Sequence, residues 1–82
     1  MPREICEASQ NITKNLYAIA YDSGRGITDI ERAADCNSGL CSMELKRGSS
    51  YRLNTALRLA KAVNVNLMDL MKDPKQFREE FL

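Results

Sequence analysis

Six residues late in the chain, Lys46, Arg47, Ser49, Ser50, Tyr51 and Arg52, place three cations and three hydroxyls within seven positions. Side chains of these types, together with backbone N–H groups, are the usual partners of phosphate oxygens in a nucleic acid duplex. Their setting points the same way. Residues 45–68 carry Lys46, Arg47, Arg52, Arg58 and Lys61 with no acid among them, whereas residues 1–44 carry four cations against seven acids. A net charge of +1 therefore hides one basic segment in a chain that is acidic before it. The competing reading is a solvated basic face, and Arg58 and Lys61, further along, are read as solvent-facing.

Other chemistries find little to work with. The chain has no histidine, and its three cysteines, Cys6, Cys36 and Cys41, contain no C-x-x-C pair. The usual zinc sites are thereby excluded, and the cysteines read as small buried thiols. Gly24-Arg25-Gly26 is too short for a G-x-G-x-x-G phosphate loop, and no nucleophile stands with a base, so neither an enzyme nor a cofactor is expected. No apolar run approaches the roughly 20 residues that cross a bilayer. Arg3, Glu4 and Glu7 around Ile5 also leave no signal-peptide core, so a cytoplasmic protein without membrane contact is expected.

The elements that would position these residues are helices. Ile5, Ala8, Ile12, Leu16 and Ile19 recur at three and four, the stripe of an amphipathic helix that ends near Asp22 before the turn Ser23-Gly24-Arg25-Gly26. Thr28 is expected to cap a second, short helix over residues 29–35. Cys36, Asn37 and Ser38 form the next turn, with Asn37 suited to a left-handed backbone and Ser38 to an N-cap. A third helix spans residues 39–47 and stops at Gly48. A fourth presents Ala56, Leu59, Ala60 and Val63 and ends at Asn64, and Asn66 caps a very short fifth holding Leu67, Leu70 and Met71. Asp73-Pro74 starts a last short helix with Phe77 and Phe81 on one side. Alternating strand patterns are missing. The fold class expected is all-α, a compact five- to six-helix bundle in one domain over residues 1–82. Its core lies at 12–71, with an extension of the first helix at 3–11 and a short helix at 74–82.

Two short helices joined by a tight turn and flanked by longer ones suit the helix-turn-helix motif. From Ile12 onward the chain resembles the lambda repressor/Cro-like helix-turn-helix family, also called the XRE family. Ile12, Leu16 and Ile19 before a glycine turn look like its first helix, and Ile27-Thr28 with Ala33 like the start of its second. Ser38 to Gly48 has the family's length from recognition-helix cap to terminating glycine, with Leu45 in the buried slot. The run from Thr55 to Leu70 is similar to its closing helix pair.

That resemblance implies a small DNA-binding transcriptional regulator, a homodimer on double-stranded DNA, whose third helix lies in the major groove. If Leu45 faces the core, Cys41 and Ser42 do too. Gly39, Leu40, Met43, Glu44 and Arg47 then face bases, and Thr28, Ser38, Lys46, Ser49, Ser50, Tyr51 and Arg52 face phosphates. Two departures stand out. Residues 38–45 lack Arg, Lys, Asn and Gln, the side chains that read guanine and adenine bidentately, and Asp29 stands where the family often has Gln. An exposed Leu40/Met43 pair equally suits a protein partner, so an interaction module on the same fold, such as an antirepressor or regulatory subunit, is the alternative. In a third arrangement Leu40 and Met43 are core residues. Dimerisation is expected through Phe77, Phe81 and Leu82, unless these pack back on the first helix.

Overall fold

The computed structural model describes residues 3–41 and 51–82, with side chains described from Ala8 onward in the first helix. These residues form an all-α bundle of five helices with no strand among them. The helices are α1 (Arg3–Ser23), α2 (Ile27–Ala33), α3 (Leu53–Ala62), α4 (Leu67–Leu70) and α5 (Pro74–Phe81). Leu40 and Cys41 are also helical. None of the helices among the described residues is long and apolar enough to cross a membrane.

The first helix, about 31 Å long at 1.5 Å per residue, organises the rest. Its stripe of Ile12, Leu16 and Ala20 is buried, and α2, α4 and α5 pack against it while α3 bridges α2 and α4. Leu16, Ile30, Leu59, Leu70 and Phe77, drawn from five different helices, are fully buried. Each contributes about 1.5–3 kcal/mol by leaving water. Phe77 therefore carries the core past Met71 into α5, and this residue is not available for the tail-mediated dimer expected from sequence. Phe81, half-exposed, stacks on Phe77 at 4.9 Å between centroids. Lys72 pairs with Asp69 and Glu80 at 3.2 and 2.6 Å, fastening α5 to the end of α4.

Three helices end in the same way. After α1, Gly24 takes φ +73°, its N–H reaches Tyr21 O and the N–H of Arg25 reaches Ala20 O at 3.0 Å. This pair of bonds is the Schellman arrangement, which satisfies carbonyls that a helix end would leave open. Asp35 (φ +58°) repeats it after α2, and Asn64 (φ +57°) after α3. The expected stops at Gly24 and Asn64 are found. The left-handed residue of the second turn is Asp35, not Asn37, because α2 stops at Ala33 and needs the reversal immediately.

The start of α2 also differs from expectation. The helix begins at Ile27 with Gly26 as its cap residue and no side-chain cap bond, so Thr28 sits inside the first turn and does not cap it. Asn66 and Asp73 do cap α4 and α5, accepting from the N–H groups of Met68 and Lys75 at 3.1 Å each.

Candidate nucleic-acid interface

The turn between α2 and the helical residues Leu40 and Cys41 is built around Glu31. This residue occupies the apolar face of α2: Ile27, Ile30, Glu31 and Ala34 are spaced i, i+3, i+4, i+7, and Glu31 is only 1% exposed. Burying a carboxylate is costly unless its oxygens accept hydrogen bonds. One oxygen accepts the N–H of Gly39 at 3.0 Å, and the other accepts the N–H of Cys41 at 2.8 Å. Its main-chain carbonyl accepts from Cys36 at 2.8 Å, closing α2. One residue thus ends one helix with its backbone and caps the next helical turn with its side chain. The carboxylate also lies where the partial positive charge of a helix start favours an anion.

Around this lock the expected site residues take different places. Ser38 is exposed, Gly39 sits at φ +89° where a Cβ would be strained, and Leu40 is half-buried. The helix start expected at Ser38 as cap is held by Glu31. The Gly39 N–H, committed to that carboxylate, is not free for a ligand. Thr28 is half-buried on α2, and Arg52 is exposed as the residue preceding α3. Met43, Glu44, Lys46, Arg47, Ser49 and Ser50 lie outside the described residues, as do Ser42 and Leu45.

Tyr51, expected on phosphate, is turned inward instead. Its N–H donates to Ser9 Oγ at 3.0 Å and its hydroxyl bonds Thr13 Oγ1. Ser9 and Thr13 are buried on α1, so Tyr51 pins the entry to α3 against the first helix. Sequence gave no hint of this, since polar residues beside an apolar stripe read as the solvent side. Of the basic residues beyond, Arg58 lies 4.0 Å from Asp35 Oδ2, an exposed pair between α3 and the end of α2, and Lys61 is exposed.

The described cysteines are free. Cys36 is half-buried and Cys41 fully buried, where desolvation pushes its thiol up to about 12 despite a bond from Tyr51. Among the described residues no group of three or more His, Cys, Asp or Glu side chains is arranged to hold a metal. No protein-family model, curated protein or solved structure matches the chain, so the likeness to the lambda repressor/Cro-like family rests on its sequence pattern alone.

Proposed function

We propose that the chain is a small DNA-binding regulator of the helix-turn-helix type, acting as a homodimer on double-stranded DNA. The observation that carries this reading is the Glu31 lock, which joins α2 to the helical turn at Leu40 through a short junction with a defined orientation. A helix presented to a groove must be held at a set angle, and two charge-assisted bonds from a buried side chain supply such a hold. The basic segment over residues 45–68 follows directly.

In this reading Thr28, Ser38 and Arg52 contact phosphate together with Lys46, Ser49 and Ser50, while Tyr51 positions the loop. Leu40, Met43, Glu44 and Arg47 face the bases. Glu44 would accept from a cytosine amine, and Leu40 and Met43 would meet thymine methyls. With no Arg, Lys, Asn or Gln over residues 38–45, most of the affinity would come from the backbone contacts and would fall steeply with salt. Titration of a fluorescent duplex of random sequence tests this. Binding should be detectable at about 50 mM salt and weaken severalfold or more by about 200 mM. Arg52→Ala should weaken it on every sequence and lower the salt slope by about 1. Undetectable binding at the lower salt removes the reading.

Leu53 and Leu57, four apart on α3 and 69% and 47% exposed, favour the second reading, a protein-interaction module on the same fold. A stoichiometric partner recovered from nuclease-treated lysate and lost on Leu53→Glu or Met43→Glu would support it.

A further inference from the structure

On the side of the bundle formed by α1, the α1–α2 turn and α5 lies an open groove of about 780 Å³. Three cations from three different elements line it: Lys14 on α1, Arg25 in the turn and Arg78 on α5. All three are exposed and none forms an ion pair with another described residue; Asp22 is the one acid in the lining. Ala18, Ala20, Ile27 and Leu82 supply an apolar floor, and Tyr21, 91% exposed, supplies an aromatic side chain.

The frame of the groove is fixed by bonds already described. Arg25 is the residue whose N–H closes the Schellman turn on Ala20, and α5 is anchored by Phe77 in the core. The cations are therefore carried by a set backbone. Three cations against a single acid give the lining a positive balance that favours an anionic ligand over a cationic one. The volume falls in the roughly 300–1,000 Å³ range of small-molecule sites, and the lining is mostly apolar with a few charged groups.

We infer that this groove binds a small amphipathic anion, one acidic head group on an apolar body, with the head held among Lys14, Arg25 and Arg78 and the body laid over Ala18, Ala20, Ile27 and Leu82. The inference stands independently of DNA binding, because none of these residues belongs to the proposed DNA face.

The test is a titration of the isotopically labelled protein followed by amide chemical shifts, with octanoate as the probe and 1-octanol as its uncharged counterpart. Octanoate should give saturable shifts at Ala18, Tyr21, Arg25 and Ile27, with octanol at least ten-fold weaker. Octyl phosphate in place of octanoate distinguishes a phosphate head from a carboxylate, and saturable binding of either supports the site. The double change Arg25→Glu with Arg78→Glu should weaken octanoate at least ten-fold, and the single change Lys14→Gln should act in the same direction. Lys61→Glu, an exposed cation outside the groove, should leave it unchanged. Equal binding of octanol and octanoate would overturn the inference, as would the absence of saturable shifts with either anion. So would insensitivity to the double change, an equal loss on Lys61→Glu, or self-association of the protein alone through these same residues, which would make a second copy the occupant.

Discussion

Among the described residues, the end of α4 and the helical turn at Leu40 are secured by side chains from other helices, and they use opposite chemistry. At the end of α4 the open groups are carbonyls, and they are met by amides from α1. Asn15 donates to Leu70 O and Lys72 O at 2.8 and 2.9 Å, and Asn11 donates to Met71 O at 3.2 Å. At Leu40 the open groups are N–H donors, and a carboxylate from α2 meets them. Each choice agrees with the sign of the helix end it serves. The amide seam uses neutral groups that run from the core to its edge and ties the end of α4 to α1. The carboxylate lock lies beside the exposed Ser38 and holds the helical turn at Leu40 and Cys41 to α2. One region ties the end of the bundle to its first helix, and the other fixes the turn that follows α2.

The largest effect is expected in the amide seam. Asn15→Leu, at a position that is 0% exposed, leaves without their donor the Leu70 carbonyl, in a buried bond, and the Lys72 carbonyl, in a part-buried one. At about 1–3 kcal/mol for each orphaned group, stability should fall by about 3 kcal/mol, read as a lower denaturation midpoint. A loss below about 1 kcal/mol would mean that the seam is not a support.

Glu31→Ala should cost about 2 kcal/mol, since it removes two charge-assisted bonds to a helix start. Hydrogen exchange separates it from the Asn15 case. The Gly39 and Cys41 amides should lose protection beyond the global loss, while those of α4 follow global stability. Uniform loss at both ends would erase the contrast between the regions.

A smaller effect concerns pH. The Cys41 thiol ionises near 9 when unfolded and is pushed to about 12 in the fold, chiefly by burial. Its folded value is raised, so its contribution is fully present below pH 9 and is lost as pH rises toward 12. Denaturation midpoints should decline across that window, and less steeply in Cys41→Ala. Parallel declines would show that Cys41 contributes nothing to the slope.

Much of the bundle was legible from residue types. Gly24, Asn64, Asn66 and Asp73-Pro74 stop or start helices through their own backbone or side chains, so their roles are local and visible in order along the chain. What stayed hidden acts across the chain. Asn15 lies 55 and 57 positions from the carbonyls it serves, and Tyr51 is 38 from Thr13. Glu31 had a signal, because a glutamate in the i+4 slot of an otherwise apolar stripe must find buried donors, but its partners depend on a turn eight to ten residues on. Asp35 in place of Asn37 as the left-handed residue follows from where α2 stops, which residue preferences alone do not settle. Of the expected DNA contacts, Thr28, Ser38, Leu40 and Arg52 keep a half-buried or exposed position, and Tyr51 does not face outward with them.

Amide chemical shifts of the labelled protein, followed while a short duplex of random sequence is added at low salt, test the proposed DNA face most directly. The account predicts shifts at Thr28, Ser38, Leu40 and Arg52 that reverse on adding salt, with α5 from Lys75 to Glu79 unmoved. Shifts confined to α1 and α5, or none at all, would contradict it.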